Sequence, residues 1–207
     1  MQVSLFFAWI EKSMRSTRQP LKFYLIAIRV AWQLANILRS NSINKVITLK
    51  ILGLVGDNNT WARSKGFHSV VDNYPNLKMV AQQSADFDRN KALEVMESIL
   101  QAHPNIDGIF CGNDAMAMGV YQALAGAGKA NKVKVFGFDG ADDVISAIQS
   151  GKIAATGMQF PKVMAEKAAV FADEYLKGKR DFAQKIPVAV ELVTKENIED
   201  YASYGKK

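Results

Sequence analysis

Nine residues of types that hold or orient a polar ligand recur along the chain: Asn58, Arg63, Asp86, Phe87, Asp88, Asn113, Asp114, Asp139 and Gln159. An arginine fork, carboxylates, carboxamides and one aromatic face together suit a neutral, polyhydroxylated ligand. Each sugar hydroxyl both donates and accepts, so aspartate accepts from it, arginine donates in bidentate fashion and an amide does both. The C–H face of a sugar ring stacks on phenylalanine. Such groups also discriminate, because a ligand lacking one hydroxyl leaves a buried partner unpaired. None of the set is a nucleophile with an adjacent base.

These residues matter only if something gathers them. From residue 46 onward, short apolar runs alternate with helical patterns. Strands are predicted over 46–54, 77–83, 106–111, 132–138 and 153–158, and helices over 61–71, 88–102, 114–127 and 142–149. In the second helix Ala92, Leu93, Val95, Met96, Ile99 and Leu100 recur at helical spacing. Short, almost wholly apolar strands separated by helices imply parallel pairing through right-handed crossovers. The expected fold is therefore α/β, a three-layer parallel sheet with helices on both faces.

Ligands of such open sheets bind beyond the carboxyl ends of the strands. Asn58 and Arg63 follow the first strand, Asp86, Phe87 and Asp88 the second, Asn113 and Asp114 the third, Asp139 the fourth and Gln159 the fifth. Five successive strand ends thus aim polar groups and one aromatic at a common edge.

Plainer uses compete with this reading position by position. Asp88 stands where a helix N-cap is wanted, and Asp114, Asp142 and Asp143 stand at helix starts, where a negative charge is favourable without any ligand. Arg63 alone is a surface ion pair and Phe87 alone a core aromatic. His68 is expected on a helix surface and His103 in a loop, while Met116 and Met118 read as core filler. The run from Gly53 to Asp57 lacks the lysine and hydroxyl residue that a phosphate loop requires. With one cysteine, Cys111, and two histidines there is neither a disulfide framework nor a zinc cluster, and no cofactor or metal is expected.

The charge of the chain, +6 over 207 residues, first points to a nucleic-acid or membrane-surface partner. Its distribution removes that inference. Residues 1–50 carry eight basic residues against one acid, a local +7, and the remainder carries 18 basic and 19 acidic residues, or −1. Over 22–40 the polar residues Lys22, Arg29, Gln33, Asn36 and Ser40 share one narrow stripe, which predicts a helix over about 21–40 with a wide apolar face. Arg29 interrupts its apolar run well short of the roughly 20 residues of a membrane span, so no transmembrane span is expected. Residues 3–10 are apolar and precede Glu11 and Lys12, the reverse of the order in a secretory leader, and no signal peptide is read there.

The residues also carry a resemblance. Ala62-Arg63-Ser64-Lys65-Gly66-Phe67, Gln83-Ser84-Ala85-Asp86-Phe87-Asp88-Arg89-Asn90-Lys91, Asn105-Ile106-Asp107-Gly108-Ile109-Phe110-Cys111-Gly112-Asn113-Asp114 and Val135-Phe136-Gly137-Phe138-Asp139-Gly140 stand in family order and spacing. Met116-Ala117-Met118-Gly119 and Gly151-Lys152-Ile153-Ala154-Ala155-Thr156 with Gln159 extend the match. From 46 to 194 the chain resembles the ribose-type sugar-binding proteins of bacterial ABC importers, the type I periplasmic binding proteins.

That resemblance implies a two-lobed parent fold, of which this segment is the second lobe. It implies that Arg63, Phe87, Asn113, Asp139 and Gln159 touch a monosaccharide, a pentose or hexose, and the residues themselves suggest Asn58, Asp86, Asp88 and Asp114 as supports behind them. It further implies a periplasmic location, a membrane permease as partner, no nucleic acid and no enzymatic turnover. The first lobe has no counterpart here. Residues 162–185 would pack on it in the family, residues 195–207 form a tail, and residues 1–45 do not match, so their apolar helix is expected to cover surface left bare. Two other classes compete: the sugar-responsive effector domain of a LacI-type repressor, and a sugar hydrolase using Asp86 and Asp139 as paired carboxylates. One long apolar helix in place of a helix-turn-helix counts against the first, and nothing in the spacing supports the second.

Overall fold

The computed structural model describes residues 46–183, 186, 188–202 and 204–206. The helix expected over 21–40, and the cover expected from it, lie outside these residues.

The chain enters the described fold as β1 (Val46–Leu52), a β-branched and aliphatic run that is almost wholly buried. Then α1 (Asn58–Val71), β2 (Leu77–Ser84), α2 (Arg89–Ala102), β3 (Gly108–Cys111), α3 (Asp114–Gly126), β4 (Lys134–Asp139), α4 (Asp142–Gln149) and β5 (Ala155–Met158) alternate as the periodicity predicts. The boundaries move by a few residues. α1 begins at Asn58, ahead of the expected 61, and β1 stops at Leu52, short of the expected 54. Asp88 caps α2, its carboxylate accepting the Lys91 N–H at 2.7 Å.

β1 to β5 pair in parallel in the order β2-β1-β3-β4-β5, and β6 (Glu191–Thr194) adds an antiparallel edge to β5. The order reverses between β1 and β3, so their carboxyl ends diverge and open the crevice where ligands of doubly wound sheets bind. Neither β6 as a strand nor its direction is visible in the sequence pattern. The chain reaches it only after α5 (Pro161–Leu176).

Alternation along the strands sends side chains to two faces. Leu49, Ile51, Ile109, Cys111 and Val135 meet Met96, Met116 and Val120 in the core under α2 and α3. Gly119 lets those helices touch, as a Cβ there would stand 2.1 Å from the Arg89 carbonyl oxygen. On the opposite face Phe110 stacks on Phe67 of α1, with ring centroids 5.1 Å apart. Lys50 is on this face too, fully buried, its Nζ 2.6 Å from Ser64 Oγ and 2.8 Å from His68 Nε2. His68 is therefore not the surface residue expected. Its ring is half-buried, tied to Lys50 through one nitrogen and to Asp72 at 3.0 Å through the other. Burial pulls the Lys50 pKa down to about 8, with the Asp72 charge resisting.

α5 is unlike the other helices. None of its residues is buried, and Val163, Met164, Val170, Tyr175 and Leu176 are exposed.

Candidate functional site

Arg63 sits on the second turn of α1, beside the point where the strand order reverses. Its Nη1 donates to the Gly112 carbonyl at the end of β3 (2.6 Å), and its Nη2 donates to Asp139 Oδ1 at the end of β4 (3.1 Å). One side chain on the helix after β1 thus bridges the ends of β3 and β4. The guanidinium carbon lies 3.9 Å from the centroid of Phe138 and 5.9 Å from that of Phe87, so aromatic faces line its planar surface. Arg63 is buried, which draws its pKa down while Asp139 pulls it back.

Asp139 is the meeting point. Gln159, after β5, donates from Nε2 to the same Oδ1 at 2.6 Å. Burial raises the Asp139 pKa, and Arg63 and Gln159 oppose the rise. Both members of the ion pair are thus displaced towards neutrality by desolvation, as expected of a pair withdrawn from water. Asp139 Oδ2 carries no hydrogen bond among the described residues, and the side chain is 29% exposed. A partly exposed carboxylate with a spare acceptor oxygen therefore lies beside a buried cation.

Phe87 reaches this edge through an unusual turn. Asp86 and Phe87 both have positive φ, 53° and 62°, conformations that residues with a Cβ rarely adopt. The turn swings the ring over Gly53, where a Cβ would stand 2.0 Å from Phe87 Cε1. Asp86 holds the turn from outside, accepting from Ser84 Oγ at 2.8 Å and pairing with Lys91. Those bonds, Lys91 first, keep its carboxyl below the usual range.

Asn113 caps α3 by accepting the Met116 N–H at 3.0 Å, and its Nδ2 points at the Phe87 carbonyl at 3.5 Å. Asp114 does not serve its own helix, as a helix-start acid would. It turns across to the β4–α4 turn and β5, accepting from the Gly140 and Ala141 N–H groups and the Thr156 hydroxyl. Asn58 is exposed at the start of α1 and Asp88 is occupied as a cap.

The structure thus brings Arg63, Asp139 and Gln159 into direct contact, sets Phe87 and Asn113 beside them, and leaves Asn58 and Asp88 at the periphery. Sequence reasoning missed three contributors: the Gly112 carbonyl, Phe138 and Thr156. Thr156 had a legible signal, a hydroxyl inside an otherwise apolar strand. Phe138 had a weaker one, standing two residues after Phe136 on the same strand face.

The chemistry this arrangement can perform is recognition. Asp139 and Gln159 offer acceptors and donors to hydroxyl groups, and Phe87 offers a flat apolar face. The one thiol, Cys111, is fully buried, and burial reinforced by the Asp114 charge pushes its pKa up. Among the described residues no three His, Cys, Asp or Glu side chains gather as a metal site, and no helix is long and apolar enough to cross a membrane.

Comparison with known proteins agrees with this fold. A family described as the periplasmic binding protein domain matches residues 22–180, starting ahead of the boundary at 45 drawn from the sequence. A D-apiose import binding protein of Paraburkholderia graminis is 43% identical over 150 residues, covering 72% of this chain and 48% of that protein. A ribose import binding protein of Salmonella typhimurium is 43% identical over 152 residues, 73% of this chain and 50% of that protein. Among solved structures, an ABC transporter periplasmic solute binding protein from Actinobacillus succinogenes with bound D-allose superimposes with a TM-score of 0.80 at 33% identity. It covers 87% of this chain and 61% of its own. The chain spans about half the length of the curated relatives it matches.

Proposed function

The chain belongs to the periplasmic binding protein domain family, whose relatives here are substrate-binding proteins and not enzymes, and from that premise we propose that it binds a monosaccharide, a pentose or hexose, for an ABC importer. Arg63, Phe87, Asn113, Asp139 and Gln159 make the contacts. The observation that carries this reading is Asp139, whose Oδ1 is shared by Arg63 and Gln159 while its Oδ2 has no hydrogen bond among the described residues and the side chain is partly exposed. Such an oxygen accepts a sugar hydroxyl without rearrangement.

Residues 46–194 then form one sugar-binding lobe, flanked by residues 1–45 and a tail over 195–207. The apolar residues exposed along α5 are the face that a second lobe covers. The family's periplasmic setting and its use of a membrane permease come to this chain under the same proposal. The repressor reading finds no support among the named relatives, which are import and solute-binding proteins.

Titration calorimetry against D-apiose, D-ribose and D-allose tests the reading. Weak but saturable binding is expected, because one lobe desolvates only one face of the ring. Asp139→Ala should abolish it. Equal heats for wild type and Asp139→Ala, or none for wild type with any of the three sugars, would refute it.

A further inference from the structure

We propose that Asp114 is the positioning residue of the sugar site, holding the β4–α4 turn in the backbone shape that presents Asp139 to Arg63, Gln159 and ligand. This rests on the sugar-binding reading above. Asp114 is 1% exposed and opens α3, yet it makes no bond to the amino-terminal N–H groups of that helix. Asn113 performs that task. The Asp114 carboxylate instead spans to two other elements. Oδ2 accepts the N–H groups of Gly140 and Ala141, each at 2.8 Å, and Oδ1 accepts the Thr156 hydroxyl at 2.6 Å.

Those donors flank Asp139 in sequence and in space. Asp139 has φ 132° and Gly140 φ 88°, two successive residues in backbone regions that side-chain-bearing residues rarely adopt. A turn of this kind persists only where its surroundings fix it, and the two N–H groups gripped by Asp114 are the next two after Asp139. Room for the grip comes from Gly137, where a Cβ would stand 2.2 Å from Asp114 Oδ1. The chain of cause runs from a buried carboxylate on α3, through the turn after β4, to the orientation of a different carboxylate at the ligand edge. Burial raises the Asp114 pKa to about 6, so the three donors face an ionised group at neutral pH.

The geometry separates Asp114→Ala from Asp114→Asn. Alanine removes all three acceptor contacts. Asparagine keeps an oxygen for both N–H groups and turns its amide N–H to a Thr156 hydroxyl able to accept it. The test measures D-ribose, D-apiose and D-allose affinity by calorimetry for the full chain and both variants, with a crystal structure of each. Asp114→Ala should weaken binding about tenfold or more, and Asp114→Asn should stay within about threefold of wild type. The Asp114→Ala structure should show Asp139 parted from Arg63. Gly137→Ala, which retains the charge and crowds Oδ1, should weaken binding in the same way and serves if Asp114→Ala fails to fold. Unchanged binding in Gly137→Ala, equal losses in Ala and Asn variants, or an Asp139–Arg63 contact intact in Asp114→Ala overturns the proposal. If wild type binds no sugar, the sugar reading falls, and the crystal structures still decide the positioning role.

Discussion

Replacing Lys50 by methionine should stabilise the protein at neutral pH and reverse sign in alkali. Lys50 is fully buried and its pKa falls from 10.5 to about 8. A depressed pKa in the folded state means that folding works against the protonated form. The penalty is complete below pH 8 and disappears as the pH rises to 10.5. A difference of two and a half units corresponds to about 3 kcal/mol. Methionine has similar length and no charge, so it removes that penalty. It also removes the hydrogen bonds to Ser64 and His68, each worth about 1 kcal/mol. The balance at pH 7 is a gain of about 1 kcal/mol for Lys50→Met. Above pH 10 the wild type holds a neutral, hydrogen-bonded amine, and the variant should be the less stable by about 2 kcal/mol. Urea unfolding of both proteins between pH 7 and 10.5 reads the difference directly. A gap between the two that does not change with pH would refute the reasoning, as would a loss above about 2 kcal/mol for Lys50→Met at pH 7.

Three further outcomes are expected. Gly53→Ala places a methyl 2.0 Å from Phe87 Cε1, so the ring must leave its seat. Sugar affinity should fall and thermal unfolding should register a loss of about 1–3 kcal/mol. Asp139→Ala removes the carboxylate that pairs with the buried Arg63 guanidinium, costing about 3 kcal/mol or more in urea unfolding, and Arg63→Met in the same chain should recover part of that loss, a coupling measurable by a double-mutant cycle. The Asp114 pKa is raised from 3.8 to about 6. Its contribution is therefore fully present below pH 3.8 and is lost as the pH rises through 6. Wild type should lose up to about 3 kcal/mol relative to Asp114→Asn between pH 4 and 7, read from melts of both.

The alternation of strand and helix was legible because its causes are local. Aliphatic and β-branched runs such as 46–52, bounded by Gly53 and by helical spacing beyond, admit few other arrangements. The gathering of these polar residues along one edge of the sheet was legible for the same reason, since parallel strands all end on one side. Asp88 could be read as a cap because capping needs only its own helix. The antiparallel β6 was not legible, as its pairing with β5 depends on where α5 carries the chain.

The sequence by itself determined which residues stand at strand ends, for that follows from periodicity and chain order. Only the tertiary structure decided what each one does there. Asp114 looked like a helix-start acid and grips another turn, His68 looked like a surface residue and meets a buried lysine, and Asp139 gathers Arg63 and Gln159 from 76 and 20 residues away. The physical reason is the same in each case. Hydrogen bonds and desolvation depend on which groups share a volume, and packing brings together residues whose distance in sequence carries no mark of their meeting.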